Sequence, residues 1–190
     1  FTLIARAIPG RRPLVVHPQF TEPESALRRA GRVPDQHVLS EREGFVLHPD
    51  RIPADADLVI IGNPTNPTGV LHPRSTLEAL RAPGRVLVID EAFMDAIVGG
   101  ADSLISADLD GVIVVRSLTK TWGLAGLRAG YVVGDPSLLR LLAEQQPHWS
   151  VSSLAARASV AVCAPAARAE EAELAREAAT WRHHLVRGLQ

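Results

Sequence analysis

Three short segments of the chain bring together side chains that could bind a cofactor or move a proton. They span residues 62–69, 88–95 and 115–130, and each contains or directly follows an apolar run. In open α/β sheets, ligands bind beyond the carboxyl ends of the strands. We therefore expect the chemistry of this protein at these three places.

The first segment, GNPTNPTG at 62–69, contains two Asn-Pro pairs. A proline restricts the residue before it to extended conformations, so we expect a rigid loop that can hold an asparagine amide at a fixed point. Ordinary turn chemistry is the alternative for either pair alone.

The second segment places Asp90, Glu91 and Asp95 at the end of an apolar run. A carboxylate in that position loses water and needs a cation or several donors to stay ionised. Capping of a helix by Asp90 is one alternative. Metal binding by the three acids is another, but no ligand pattern supports it, so we predict no metal.

The third segment combines Ser117, Thr119, Lys120 and Arg128 with three glycines. Hydroxyl and guanidinium groups in such a loop can donate to phosphate oxygens. The segment is not a P-loop, because GxxxxGK[ST] is absent. Lys120 is the single lysine among 20 basic residues. A solvated surface lysine in an arginine-biased chain is the alternative interpretation.

Composition sets the class of protein. With 190 residues, 46% of them hydrophobic, and a net charge of -1, the sequence predicts a packed globular α/β protein without a basic surface for nucleic acid or membranes. Its apolar runs fall far short of the roughly 20 residues that cross a bilayer. The single cysteine, Cys163, supports neither a disulfide nor a zinc site, so we expect a cytoplasmic protein with this residue buried.

Apolar, β-branched runs without alternation predict strands buried on both faces of a largely parallel sheet. The predicted strands cover 13–16, 57–61, 85–89, 111–115 and 128–133. Predicted helices cover 22–30, with Thr21 as a cap, and 73–81, 137–144, 151–163 and 167–189. The chain starts at Phe1 within a helical pattern and stops without a helix-ending signal after an apolar stripe at Leu174, Ala178, Trp181 and Leu185. We expect truncation at both ends.

Three motifs in order, NPTG at 66–69, DEAF at 90–93 and SLTK at 117–120 with Arg128 eight positions on, make the chain resemble fold-type-I class I/II aminotransferases. These enzymes use pyridoxal 5′-phosphate (PLP). The resemblance covers essentially the whole chain and implies a PLP-transferase-like large domain with a mostly parallel mixed sheet flanked by helices. It implies an incomplete PLP-binding domain at 1–165 and, at 166–190, a helix leading to a missing C-terminal small domain.

The resemblance also implies two catalytic roles. Lys120 matches the lysine whose amine condenses with the PLP aldehyde, a reaction that arginine cannot perform. Asp90 matches the carboxylate that keeps the pyridine nitrogen protonated, so that the ring can accept electrons.

Five further positions match residues that hold or frame the cofactor. Asn66 matches the amide that donates to O3′ of PLP, and Ser117, Thr119 and Arg128 match the phosphate-binding set. Phe20 takes the place of the aromatic residue that stacks on the ring, although a core or rim phenylalanine is an equal alternative. Phe93 stands where many relatives carry a tyrosine that donates a second hydrogen bond to O3′.

Residues 90–95 and 147–151 look most like the cobalamin-biosynthesis branch that includes threonine-phosphate decarboxylase, with histidinol-phosphate aminotransferase as the alternative. Both branches imply a small phosphorylated amino substrate and, by resemblance, a homodimer. An alternative of another class is a catalytically silent fragment or interaction module. It is motivated because the family's phosphate-binding turn would precede Phe1 and its substrate-carboxylate arginine would follow Gln190.

Overall fold

One six-stranded sheet forms the centre of the molecule. The computed structural model describes residues 1–189, with every side chain except that of Ser106. The strands are β1 (Pro13–His17), β2 (Asp35–Val38), β3 (Leu58–Gly62), β4 (Val86–Asp90), β5 (Val112–Ser117) and β6 (Gly130–Gly134). Their spatial order is β2-β1-β3-β4-β5-β6, and only β6 runs antiparallel to its neighbour. The predicted α/β fold with a mostly parallel mixed sheet is confirmed.

Within residues 1–189, six α-helices accompany the sheet. They are α1 (Thr2–Ala7), α2 (Glu22–Arg29), α3 (Arg74–Glu78), α4 (Pro136–Glu144), α5 (Ser153–Val162) and α6 (Pro165–Leu189). Asp135 and Ser152 cap α4 and α5, accepting from the backbone N–H groups of Ser137 at 2.7 Å and Ala155 at 3.1 Å. Thr21 occupies the predicted N-cap position of α2, but its side chain makes no capping hydrogen bond.

Alternate residues of the central strands enter two separate cores. Val59, Ile61 and Leu87 pack on one face of the sheet, with Leu77 and Leu80 at and just beyond α3. Leu58, Ile60 and Val88 pack on the other face against side chains of α1, α2 and α4. Strands covered on both faces need apolar residues at consecutive positions, which explains the lack of alternation in their sequences.

The two edges of the sheet depart from the prediction. β2 was not predicted, because its sequence DQHV has no apolar run and three of its four residues are exposed at the edge. β6 overlaps the predicted 128–133 run and ends one residue beyond it, but Tyr131 and Val132 are 44% and 39% exposed. Burial on both faces therefore holds for β1, β3, β4 and the first half of β5 and fails at the edges.

The C-terminal helices bury little of their surface. Cys163, the residue that follows α5, is exposed, so its predicted burial is wrong. On α6 the buried residue is Ala175, whereas Trp181 and Leu185 of the predicted apolar stripe are 69% and 61% exposed. Within residues 1–189, no helix is both long enough and apolar enough to cross a membrane. Gln190, the end of the predicted 166–190 segment, lies outside the described residues.

Candidate active site

A cavity of about 1000 Å³ opens where β3, β4 and β5 end. Its walls include every site residue that the sequence singled out: Phe20, Asn66, Asp90, Ser117, Thr119, Lys120 and Arg128. Because the parallel strands all point their carboxyl ends at this edge, the three loops converge although they lie far apart in the sequence. The structure thus brings the whole predicted set together at one place.

The loop after β3 is held by a buried asparagine. Asn63 is 0% exposed, accepts from the backbone N–H of His72 at 2.7 Å and donates through its amide nitrogen to the carbonyl of His72 at 3.2 Å. The Thr65 hydroxyl donates to the Gly62 carbonyl at 2.7 Å. Asn66 is exposed at the cavity wall, and no hydrogen bond engages its side chain within residues 1–189. Its amide is therefore available to a ligand.

Asp90 is the last residue of β4 and carries a carboxylate that lacks a strong partner. Its Oδ1 accepts one hydrogen bond, from the backbone N–H of Ala92 at 3.1 Å. Burial raises the pKa of Asp90, against the opposing effects of that hydrogen bond and of Lys120. No α-helix begins here, so the helix-cap interpretation is wrong. A cationic group entering the cavity would stabilise the ionised carboxylate.

The loop after β5 presents several donors suited to a phosphate. The hydroxyls of Ser117 and Thr119 lie 2.8 Å apart, and this contact uses only one of their two hydrogens. Arg128 donates from Nη1 to the Ala125 carbonyl at 3.0 Å, and its other N–H groups have no acceptor within the described chain. A guanidinium with donors to spare matches phosphate oxygens in a two-pronged contact.

Arg128 also has an unusual backbone. Its φ is +53°, in the left-handed region that residues with a side chain rarely adopt. Holding such a conformation costs about 1–3 kcal/mol, and it persists where the surrounding structure imposes it. The loop therefore holds Arg128 at the cavity in spite of the strain in its backbone.

Lys120 lies in the same loop with its side chain exposed to the cavity. Its Nζ is 5.2 Å from the centre of the Phe93 ring, a cation–π contact. Among the described residues, no carboxylate forms an ion pair with it. An amine held only by an aromatic face remains accessible to an incoming aldehyde.

Phe20 is 48% exposed at the cavity wall. The core interpretation of this residue is therefore wrong, while the stacking and rim interpretations both stay open. The exposed ring is free to contact a flat ligand on one face, which is the property that stacking requires.

Sequence reasoning missed two further residues that line the cavity, Gln19 and Arg116. Gln19 is buried beside Phe20 and also lines the cavity. Arg116, immediately before Ser117, pairs with Glu91 and Asp95, two of the acids considered above as metal ligands. The sequence did contain a signal for this pairing. Arg116 stands at the end of β5, and the two acids follow β4, the strand before it.

The sequence profile of the family described as aminotransferase class I and II matches residues 1–190. The chain therefore belongs to this family. Fold-type-I members of the family depend on PLP, so the prediction of the family and of its cofactor is confirmed.

Two groups of relatives stand out. A histidinol-phosphate aminotransferase of Mycobacterium bovis is 48% identical over 190 residues, which cover 100% of this chain and 51% of that protein. A threonine-phosphate decarboxylase of Salmonella typhimurium is 35% identical over 167 residues, covering 82% and 45%. The chain spans about half the length of these curated relatives.

Solved structures show the same fold. A Thermus thermophilus aspartate aminotransferase double mutant superposes with a TM-score of 0.82 at 27% identity, covering 97% of this chain and 51% of that one. A histidinol-phosphate aminotransferase from Clostridium acetobutylicum gives 0.79 at 21% identity, covering 90% and 54%. The similarity to the second structure concerns the fold alone.

Proposed function

We propose that this protein is a PLP-dependent enzyme in which Lys120 carries the cofactor, and that it transfers the amino group of a small phosphorylated amino compound. The observation that carries the proposal is the single cavity lined by Lys120, Asp90, Arg128 and the other four predicted residues. A lysine placed on the surface by chance would not be expected to line the same cavity as the other six predicted residues.

The residues of the cavity fit the cofactor's groups. PLP supplies an electron-accepting ring that stabilises charge at the carbon next to the amine. Asp90, short of partners, would hold the pyridine nitrogen in its protonated form. Ser117, Thr119 and Arg128 would bind the phosphate, and Asn66 would donate to O3′.

Lys120 has a second role in this proposal. Its free amine, exposed to the cavity, would accept and return a proton at the carbon whose charge the cofactor would stabilise. Phe93 can hold the ammonium form by the observed cation–π contact but cannot donate a hydrogen bond.

The comparisons favour histidinol phosphate over the threonine-phosphate branch that short motifs put first. Identity to histidinol-phosphate aminotransferases reaches 48% over the whole chain, against 35% for threonine-phosphate decarboxylases over four fifths of it. We therefore propose aminotransfer with histidinol phosphate as the first substrate to test and decarboxylation of threonine phosphate as the second. The difference in identity is the observation that ranks them.

Several expectations stay predictions. They are a homodimer, a cytoplasmic location, a PLP-binding domain at 1–165 and a helix at 166–190 leading to a small domain. The silent fragment or interaction module is the competing hypothesis, and it predicts that neither cofactor nor substrate binds.

The test begins with cofactor binding. PLP added to the natural polypeptide that carries this sequence should develop the visible absorbance of the lysine-bound cofactor. Borohydride should then make the bond permanent, and mass spectrometry should find the added mass on the peptide containing Lys120. Absence of both signals would overturn the PLP proposal and support the silent module.

Two assays then rank the substrates. Glutamate-dependent turnover of the histidinol-phosphate pair supports the first choice, whereas release of CO2 from threonine phosphate without any aminotransfer would replace it with the second. Running both on one preparation excludes differences in cofactor content.

A further inference from the structure

At the wall of the cavity, Arg116 forms a charged network that the proposed chemistry does not use directly. Its side chain is only 12% exposed and donates from Nη1 to Asp95 Oδ1 at 2.6 Å and from Nη2 to Ser103 Oγ at 3.1 Å. Its Nε lies 3.1 Å from Glu91 Oε2, an ion pair in which the N–H does not point at the oxygen. One guanidinium therefore engages three side chains.

The carboxylate of Glu91 is fully enclosed by this network. Its side chain is 0% exposed, and besides Arg116 it accepts from the Ser103 hydroxyl at 2.7 Å and from the backbone N–H of Leu104 at 2.8 Å. A buried carboxylate with three such partners is held in one orientation. The chain that follows β4 is thereby folded back on itself around Arg116.

The network connects two segments that both carry proposed catalytic groups. Glu91 directly follows Asp90, and Arg116 directly precedes Ser117 in the loop that leads to Lys120. The backbone N–H of Glu91 also bonds the Val115 carbonyl at 2.9 Å, one residue past the ladder of β4 and β5. A shift of Arg116 would therefore change the spacing between Asp90 and the Ser117–Lys120 segment.

Other charged groups surround the network. Arg168 and Glu171 of α6 and Tyr131 of β6 act electrostatically on Asp95 or respond to it. Burial raises the pKa of Asp95, and the charges of Arg116 and Arg168 oppose that effect. Arg116 is the member that contacts both acids, at 2.6 Å to Asp95 and 3.1 Å to Glu91, so it is the one whose geometry matters.

We propose that Arg116 is a positioning residue, which fixes Asp90 and Lys120 at the spacing that one cofactor molecule requires. The inference rests on the proposed function. Arg116 also lines the cavity, but its Nη1 and Nη2 groups are engaged by Asp95 and Ser103, so it acts through these partners, Glu91 and the adjoining backbone. When a change in a supporting residue displaces the reacting groups slightly, the reaction rate can fall about 100-fold.

Two variants test this idea without leaving a buried carboxylate unpaired. Arg116→Lys keeps the charge but replaces a planar fork with a point donor that cannot reach all three acceptors. Asp95→Asn keeps the size of the side chain and removes one charge. Arg85→Lys is the matched control, since Arg85 is another partly buried arginine, directly before β4, but bonds only backbone carbonyls away from the cavity.

The readouts are the dissociation constant of PLP and the circular dichroism of its visible band, which an achiral cofactor shows only in an asymmetric site. For Arg116→Lys we expect about 10- to 100-fold weaker PLP binding and an altered band shape. Asp95→Asn should change both in the same direction to a smaller extent. Arg85→Lys should lower the melting temperature and leave both unchanged.

The outcomes separate this inference from the proposed function. If the parent protein binds PLP at Lys120 and Arg116→Lys does so with an unchanged constant and band, the positioning role is wrong while the proposed function stands. The positioning role is also wrong if Arg85→Lys disturbs both readouts as much as Arg116→Lys. If the parent protein shows no bound PLP at all, the proposed function and the positioning role are both wrong.

Discussion

The two ends of the central sheet use similar residues in opposite ways. At the amino end, Arg85 donates to four backbone carbonyls at 2.7–3.2 Å, and Arg32 donates to three. At the carboxyl end, Arg128 makes one such bond and the side chain of Asn66 makes none within the described residues. The two arginines at the amino end use most of their donors on the backbone, whereas Arg128 and Asn66 keep donors in reserve.

This contrast teaches how stability and binding divide over one fold. A side chain whose hydrogen bonds are complete contributes to folding and has nothing left to offer a ligand. A side chain with spare donors contributes little to folding and much to binding. The satisfaction of each polar group, more than its residue type, therefore indicates its role, and variants at the two ends should fail in different ways.

The largest effect is expected at Lys120. Replacement by Arg keeps a positive charge but removes the only lysine amine in the chain, the group proposed to condense with the aldehyde, so turnover should fall by more than about 1,000-fold. Because Lys120 is exposed, the melting temperature should stay within about 2 °C of the parent value. Assays of turnover and thermal unfolding measure both. A stable variant that still forms the lysine-bound absorbance would break the comparison.

Arg85→Ala should have the next largest effect, and on stability alone. The change leaves four carbonyl groups without their donor, so the free energy of unfolding should fall by about 1–3 kcal/mol. Denaturant titration measures this loss. The affinity for PLP, measured well below the melting temperature, should not change. Weaker cofactor binding would show that the amino end also contributes to the site.

Arg128→Gly sharpens the comparison at the carboxyl end. Glycine relieves the left-handed backbone strain but adds flexibility to the unfolded chain, so these effects should roughly cancel in the melting temperature. PLP should bind about 10-fold more weakly, because a charge-assisted phosphate contact is lost. Arg128→Lys, which keeps the charge and the strain, is the control and should bind more tightly than the glycine variant.

The smallest effect concerns Asp135, at the amino end of β5. Its carboxylate accepts from the backbone N–H groups of Gly111 and Ser137 and from the Ser137 hydroxyl, which holds its pKa well below the usual 3.8. A lowered pKa in the folded state means that the stabilisation is present above pH 4 and is lost as the pH falls below about 4. Asp135→Asn should therefore have a lower melting temperature than the parent protein at pH 7, and this difference in melting temperature should shrink at pH 3. A constant difference would contradict the assignment.

The sequence predicted those features that depend on local, repeated signals. Apolar runs predicted five of the six strands, because strands covered on both faces leave little choice of residue. The motifs around Asn66, Asp90 and Lys120 predicted residues that do line one cavity. Fold topology links the two successes, since parallel strands carry such loops to one edge.

Other features were beyond sequence reasoning for physical reasons. β2 is an exposed edge whose polar residues are held by backbone pairing with β1, which leaves no apolar pattern to detect. The bonds of Arg116 to Glu91, Asp95 and Ser103 join residues 13 to 25 positions apart, so only the packed fold brings them together. Exposure of Cys163 depends on how little α5 and α6 pack, which composition does not report.

The reciprocal bonds between Asn63 and the backbone of His72 also have a consequence for binding entropy. They join the two ends of the loop that carries Asn66, much as paired hydrogen bonds join neighbouring strands. The conformational entropy of that loop is therefore lost during folding, before any ligand arrives. A cofactor meeting an ordered loop has less ordering to impose, so more of its contact energy remains as affinity.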